Sequence, residues 1–213
     1  MRRCKKSLRN LIVEDCLKRG DFTTSSGEKS DYYVDLRQIS MSSTGAYLIG
    51  KTIYNHTKNM EFDAIGGPAV GAIPLVTATV LRYWRRERRI KEGFWIGSGQ
   101  EIDGRITRRH KVIVIEDVCT TGESAALTVQ ALKDLVGCKV VGVIALVDRE
   151  EGAKERFQDM GIMFDSIFEV KDLIDRAMGG RRINPPVDGI QEKSQSSDST
   201  VLHEQHNHSE TDA

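Results

Sequence analysis

Apolar segments of strand character alternate with segments of helical character along most of this 213-residue chain. The clearest example runs from the branched apolar stretch 112–115, through the helical stretch 123–137, to the almost unbroken apolar stretch 139–148. Strands that are apolar on both faces are typical of a parallel sheet covered by helices on both sides. The alternation therefore predicts an α/β fold with a central, mainly parallel sheet, and it places ligands beyond the carboxyl ends of the strands.

The two ends of the chain differ in composition from this alternating region. Residues 7–19 carry apolar side chains at helical spacing and Gly20 follows them, so we expect an opening helix that ends there. Residues 185–213 are polar, serine-rich and short of aromatic side chains, a composition that does not offset the entropy lost on ordering. We therefore predict one domain over 1–184 and a disordered tail over 185–213.

Charge and composition exclude several classes of function. Lysine plus arginine and aspartate plus glutamate both number 31, so the net charge gives no argument for binding a nucleic acid or an anionic membrane. No apolar run approaches the roughly 20 residues of a membrane span, and the N-terminus lacks the apolar core of a signal peptide. The four cysteines are scattered and the tail histidines lie in a polar segment, so we expect neither disulfides nor a metal site there. These features favour a cytoplasmic protein with no nucleic acid and no membrane partner.

The segment VIVIEDVCTTGES, residues 112–124, combines two kinds of chemistry. Its strand should deliver Glu116 and Asp117 to the edge of the sheet, and its turn 119–122 should open the next helix. Backbone amides at a helix start, next to small residues, form an anion site that suits a terminal phosphate. Neighbouring carboxylates would repel that phosphate, so they require sugar hydroxyls or the shell of a magnesium ion. A sugar phosphate satisfies both demands.

Four segments carry a resemblance to a known family. EDVCTTGES resembles the phosphoribosyl diphosphate (PRPP) signature of type I phosphoribosyltransferases. FTTSSGEKSDYYVDLR, GGPAVGAIPL and LVDREEGA resemble, in the same order, segments of the orotate phosphoribosyltransferase family, and the resemblance covers about residues 22–170. It implies the type I fold with a small N-terminal hood-like segment. It also implies conversion of orotate and PRPP to orotidine 5′-monophosphate and diphosphate in pyrimidine (UMP) biosynthesis, by a magnesium-dependent homodimer.

The resemblance also implies roles for particular residues. The PRPP-binding segment would be Glu116, Asp117, Val118, Cys119, Thr120, Thr121, Gly122, Glu123 and Ser124. Within it, the two acids would hydrogen-bond the ribose 2′ and 3′ hydroxyls, and the residues from Cys119 onward would cradle the 5′-phosphate. The orotate-binding residues would be Thr120, Arg149, Tyr32, Tyr33 and Lys29, and the diphosphate would lie against Gly67, Pro68 and Ala69. Without the resemblance, the two tyrosines would be core-facing strand residues and the arginine a surface partner of Glu150 or Glu151.

One segment departs from the family. Members carry a mobile basic loop after the strand that corresponds to FWI, whereas residues 97–104, GSGQEIDG, contain no lysine, arginine or histidine. The catalytic residues are therefore not assigned, and residues 82–91, RYWRRERRIK, are a candidate replacement whose simpler explanation is a solvated helix face. The missing loop makes a noncatalytic PRPP-binding protein the alternative to an enzyme. An enzyme acting on a purine base is disfavoured by Arg149 and by YYVDLR.

Overall fold

The structure, a computed structural model, describes residues 2–23 and 29–179. The predicted tail 185–213, with its histidines, lies outside these ranges, as does the end of the predicted domain at 184. In chain order the elements are α1 (Arg2–Asp15), β1 (Leu17–Thr23), β2 (Lys29–Val34), α2 (Arg37–Ser40), α3 (Ser43–Thr57), β3 (Ala64–Pro68), α4 (Ala72–Glu87), β4 (Glu92–Ile96), β5 (Ile102–Gly104), β6 (Lys111–Cys119), α5 (Glu123–Ala131), β7 (Lys139–Asp148), α6 (Ala153–Asp159), β8 (Phe164–Glu169) and α7 (Val170–Gly179). A π-helical turn, Leu132–Val136, extends α5.

Six strands form the central sheet in the order β5-β4-β3-β6-β7-β8. All neighbouring strands are parallel except β4 and β5, which form an antiparallel pair at one edge. The strands β1 and β2 form a separate two-stranded antiparallel sheet near the N-terminus. The predicted α/β architecture with a mainly parallel sheet is thus confirmed, and the hairpin β1–β2 lies where the hood-like segment was predicted.

The core has two layers because side chains alternate along the strands. In β6, Ile113 and Ile115 pack into the layer that contains α1, α3, α4 and α7, whereas Val112 and Val114 pack into the layer that contains α5 and α6. All four side chains are fully buried. Burial of a side chain of this size contributes about 1.5 to 3 kcal/mol, so both faces of the strand hold helices against the sheet.

The prediction for the opening helix was wrong at its end. The helix α1 stops at Asp15, and Leu17 already pairs with Val34 in the hairpin β1–β2. Gly20 therefore lies inside β1, near a register shift between Arg19 and Phe22, and does not end a helix. The helical spacing continued past the true boundary by coincidence, and long-range pairing with β2 decided the conformation of residues 17–23.

Two further boundaries differ from the sequence-based expectation. The strand β6 continues to Cys119, which pairs with Asp148 of β7, so Glu116 and Asp117 lie inside the strand and not after it. The three-residue strand β5 was not predicted, because a segment of this length shows no periodicity. The predicted helix end at Gly137 is confirmed, since this residue adopts a left-handed conformation with φ 70° after the π-helical turn.

Among the described residues, no helix is long and apolar enough to cross a membrane. All four cysteines fall within the described ranges, where each is buried and unpaired.

Candidate active site

Three loops meet at one edge of the sheet. The strands β3, β6 and β7 are parallel neighbours, so the loops that follow them, 69–71, 120–122 and 149–152, lie side by side. The last two are joined directly, because the backbone N–H of Arg149 donates to the carbonyl of Cys119 at 2.8 Å. In open α/β sheets, ligands bind at this carboxyl edge. The predicted ligand-binding residues outside the hairpin β1–β2 are brought together here.

The turn between β6 and α5 leaves the first amides of the helix without a side-chain cap. Gly122 stands at the N-cap with φ 76°, a left-handed conformation that glycine adopts without a steric penalty. The turn is held from outside, since Arg156 Nε donates to the carbonyl of Thr121 at 2.7 Å. Uncapped amides at the positive end of a helix dipole favour an anion. The turn can therefore hold a phosphate. The remaining residues of the predicted PRPP-binding segment are the half-buried Val118 and Thr120 and the exposed Glu123 and Ser124.

Cys119 at the end of β6 is not suited to act as a nucleophile. Its side chain is buried, and burial, followed by the charge of Glu116, raises the pKa of its thiol. A thiol needs its thiolate form to attack a substrate. Its place in the predicted PRPP segment is accounted for by its small size in a crowded turn.

The two acids of β6 lie in different surroundings because successive side chains in a strand point to opposite faces. Glu116 is 8% exposed, and its Oε2 has no hydrogen-bond partner among the described residues. Asp117 is half buried and faces the loop after β3, where a Cβ added to Gly71 would collide with its carboxylate. Burial raises the pKa of Asp117, while Arg37 acts in the opposite direction. Burial, and then the charge of Asp117, raises the pKa of Glu116 well above its ordinary value.

Replacing Glu116 with glutamine is expected to stabilise the unliganded protein more at pH 7 than at pH 5. Because the pKa of Glu116 is raised in the folded state, the stability of the wild type falls as pH increases above the ordinary value of 4.5. Glutamine does not titrate, so the Tm difference between variant and wild type should grow between the two pH values. Thermal unfolding measures this, with Glu123→Gln at an exposed position as the control. A Tm difference that is the same at both pH values would contradict the assignment.

The end of β3 approaches β6 closely. A Cβ added to Gly67 would collide with the carbonyl of Ile115, so only glycine fits at this point of the sheet. Pro68 and Ala69 are half buried, and the Ala69 N–H donates to the carbonyl of Ile96 at 2.8 Å. The peptide bond that follows Ala69 is cis. Because Gly71 faces Asp117, the loop 69–71 borders the same space as this acid, on the side opposite to the loop after β7.

Arg149 is buried, with only 7% of its surface exposed, and it joins the β7 loop to the hairpin β1–β2. Its Nη2 donates to Ser30 Oγ at 3.1 Å, and its guanidinium carbon lies 4.8 Å from the centre of the Tyr32 ring. Its Nε lies 2.9 Å from Oε1 of Glu151. The predicted pairing with a neighbouring glutamate is thus observed with Glu151, but in a buried setting and not on the surface. A buried guanidinium that keeps free donors is suited to bind a carboxylate.

The remaining predicted residues lie on the hairpin β1–β2 and its exit. Tyr33 stacks on Phe22 in a tilted arrangement with ring centres 5.6 Å apart, and its hydroxyl accepts a hydrogen bond from Arg37 Nη2 at 3.3 Å. Arg37 in turn pairs with Asp35 through Nε at 2.8 Å. Lys29 is exposed at the start of β2. The hairpin thus brings Tyr32 to Arg149, and Tyr33 to Arg37, whose charge acts on Asp117.

Residues 97–101 form a tight turn between β4 and β5, and residues 102–104 are β5. The Gly97 N–H donates to the carbonyl of Glu101 at 3.0 Å, and the Gln100 N–H donates to the carbonyl of Gly97 at 3.0 Å. No long basic loop exists at this point of the described chain. The candidate replacement, residues 82–91, lies on the far half of α4 and beyond it. Because a helix rises about 1.5 Å per residue, Arg82 stands roughly 15 Å along the axis from the start of α4, which follows loop 69–71 of its own chain.

Sequence reasoning missed several polar residues that the fold brings to the site. They are Ser30, Asp35, Arg37 and Glu151, all of which contact a predicted site residue or one another. Arg37 is the clearest case, because its charge acts on the pKa of Asp117. Its position at the end of the quoted segment YYVDLR was the available signal.

Structural comparison identifies the class. The fold is that of a type I phosphoribosyltransferase, as its neighbours among solved structures show. Orotate phosphoribosyltransferase of Mycobacterium tuberculosis in complex with PRPP has a TM-score of 0.68 and 32% identity, covering 80% of this chain and 98% of that chain. The enzyme from Aeropyrum pernix has a TM-score of 0.70 and 26% identity, covering 81% and 99%.

Sequence relatives narrow the class to one family. Orotate phosphoribosyltransferase of Aquifex aeolicus is 38% identical over 179 residues, which is 80% of this chain and 97% of the relative. That of Corynebacterium glutamicum is 36% identical over 172 residues, which is 79% and 93%. No protein-family model matches the chain. At this identity and coverage, the chain belongs to the orotate phosphoribosyltransferase family.

Proposed function

We propose that this protein transfers the phosphoribosyl group of PRPP to orotate, forming orotidine 5′-monophosphate and diphosphate. The observation that carries the proposal is the convergence of an uncapped helix start, an acid-bearing strand and a buried arginine at one sheet edge. These three features match a phosphate, a sugar and a carboxylate, which are the recognisable parts of the two substrates. The named relatives are enzymes, which favours this function over a noncatalytic PRPP-binding protein.

In the proposed reaction, a ring nitrogen of orotate forms a bond to the anomeric carbon as the bond from that carbon to the diphosphate oxygen breaks. The electron pair of the broken bond leaves with the diphosphate, and the transition state has oxocarbenium character. The turn at Thr120–Ser124 would fix the 5′-phosphate, and Asp117 would accept hydrogen bonds from the ribose. Arg149 would hold the orotate carboxylate. The main contribution of the protein is then alignment of the two reactants.

Magnesium is proposed as the cofactor, bound mainly through the substrate. Among residues 2–23 and 29–179, no cluster of three histidine, cysteine or acidic side chains could hold a metal by itself. Mg²⁺ commonly binds through one or two carboxylates together with substrate phosphates and water, so the half-buried Asp117 beside the loop 69–71 fits such a site. When bound, the ion would supply Lewis acidity to the leaving diphosphate.

The leaving diphosphate has fewer cations around it than in members with the basic loop. The charge of Arg37 acts on Asp117, and its exposed side chain would extend toward the diphosphate. One preorganised donor at a developing charge is typically worth about 2.7 to 4 kcal/mol. We therefore expect turnover to be slower than in relatives that possess the loop, with Arg37 supplying part of the stabilisation.

The proposed homodimer is supported by exposed apolar side chains on adjoining helices. Tyr47 on α3 and Leu81 on α4 are each 55% exposed, and Trp84 on α4 is 46% exposed. Tyr47 and Leu81 lie along a groove that is also lined by Arg82 and Arg85. Exposed apolar surface of this kind commonly marks a protein interface. A second copy as the occupant predicts a solution mass of twice 23.8 kDa by light scattering, and a mass of 23.8 kDa would refute it.

A cytoplasmic location is proposed because the four buried thiols are unpaired, as expected in a reducing compartment. The substrate proposal is tested by incubating the protein with PRPP, magnesium and a panel of bases, and by separating the nucleotide products. Orotidine 5′-monophosphate is the expected product. A purine nucleotide would instead assign the site to a purine base, and the absence of any nucleotide would favour the noncatalytic alternative.

A further inference from the structure

The guanidinium of Arg149 is held on two of its edges and on one face. Nε lies 2.9 Å from a carboxylate oxygen of Glu151, Nη2 donates to Ser30 Oγ at 3.1 Å, and the ring of Tyr32 covers one face. The Ser30 hydroxyl donates its own proton to the Tyr32 carbonyl at 2.8 Å, so it can only accept from the arginine. These contacts come from both the β7 loop and the hairpin β1–β2, and they fix the orientation of the guanidinium.

These contacts leave one set of donors free. A guanidinium carries five N–H donors; here Nε lies beside the Glu151 carboxylate as an ion pair, and Ser30 accepts one hydrogen of Nη2. Apart from the contact of the guanidinium with Tyr32, this leaves Nη1 and the other Nη2 hydrogen able to face a second carboxylate that approaches end-on. A carboxylate bound there would share one positive charge with Glu151, and the two anions would repel each other at short range.

We propose that Glu151 sets the affinity of the site for an anionic base by occupying one edge of the Arg149 guanidinium. This inference rests on the proposed function. Without a ligand, Glu151 neutralises a buried positive charge that would otherwise be costly. With a ligand, it opposes the ligand carboxylate. Since orotidine 5′-monophosphate retains the carboxylate of orotate, the same repulsion would also hasten release of the product.

The substitution Glu151→Gln separates charge from geometry. Glutamine keeps the size of the side chain and an oxygen beside Nε, so we expect the guanidinium orientation to be retained, while the competing negative charge is removed. We expect the Kd for orotate, measured by calorimetry, to fall about tenfold, which corresponds to about 1.4 kcal/mol. This figure allows for the partial exposure of Glu151, which screens the repulsion.

The chain offers a matched control at the neighbouring position. Glu150 carries the same charge, but its carboxylate pairs with Lys171 at 2.7 Å. Glu150→Gln should therefore leave the Kd for orotate within about twofold of the wild-type value, which shows that the effect of Glu151 does not come from net charge alone. The neutral isostere orotamide should bind the wild type and Glu151→Gln with equal affinity.

The possible outcomes distinguish the inference from the function on which it rests. Tighter orotate binding by Glu151→Gln, with Glu150→Gln unchanged, supports the inference. Unchanged or weaker binding by Glu151→Gln would overturn it, and unchanged binding combined with weaker binding by Glu151→Ala would leave Glu151 a purely orienting role. If the wild type itself did not bind orotate, that result would refute the proposed function, and the inference about Glu151 would then lose its basis.

Discussion

Replacing Asp117 with asparagine is expected to reduce turnover of orotate by at least about a hundredfold. The carboxylate faces the loop after β3 from inside β6, where it would accept hydrogen bonds from the ribose and assist magnesium at the diphosphate. The amide is nearly the same size but is neutral and presents a donor in place of an acceptor. Loss of one preorganised polar group at a reacting centre typically costs a factor of about 10² to 10³. Initial rates at saturating substrates measure the effect.

The control for this variant is Asp134→Asn, at an exposed position beyond the far end of α5. It should retain the wild-type rate. The Tm of Asp117→Asn should equal or exceed that of the wild type, because burial already disfavours the charged form of this carboxyl. If the variant folds and turns over at the wild-type rate, the acid would have no role in the site.

The substitution Arg149→Met is expected to weaken orotate binding by at least about a hundredfold while PRPP binding changes little. Methionine retains an apolar chain similar to that of arginine, but it lacks the positive charge and the N–H donors of the guanidinium that would bind the carboxylate of orotate. Removal of one partner from a buried charged pair typically costs about 2 to 5 kcal/mol, part of it from the partner left behind. Here that partner is Glu151, which would lie unpaired beside the base. Calorimetric titration with orotate and separately with PRPP measures the two affinities.

Arg176→Met is the matched control, because Arg176 lies on the surface of α7 and contacts Asn10. It should bind both substrates with wild-type affinity. Equal weakening of PRPP and orotate binding by Arg149→Met would indicate a general loss of structure at the edge of the sheet. Unchanged orotate binding would remove Arg149 from the base site.

The central strand, turn and helix could be predicted because their signals are local. The apolar run before Glu116 and the small residues that end at Gly122 lie within a few positions of one another, and their order alone specifies a strand that leads to a helix start. Gly67 could be placed at the end of a short strand for the same reason. Its close approach to Ile115, however, depends on the pairing of β3 with β6, which the sequence does not state.

The contacts around Arg149 could not be predicted from the sequence. Ser30 and Arg149 are 119 positions apart, and only the docking of the hairpin β1–β2 brings them together. The strand β1 escaped prediction because its sequence, LKRGDFT, lacks regular alternation of apolar and polar residues and is stabilised by its partner strand. The surroundings of the arginine therefore depend on tertiary structure, whereas its presence after β7 was visible in the sequence.

The most direct test of the account is to mix the purified protein with orotate, PRPP and magnesium and to follow the loss of orotate absorbance. We predict steady consumption of orotate that requires PRPP, at a rate below that of relatives with the basic loop. PRPP binding measured on the same preparation makes a negative result interpretable. Binding without turnover would contradict the enzymatic function and point to the short hairpin at 97–104, whereas no binding would contradict the assignment of the site itself.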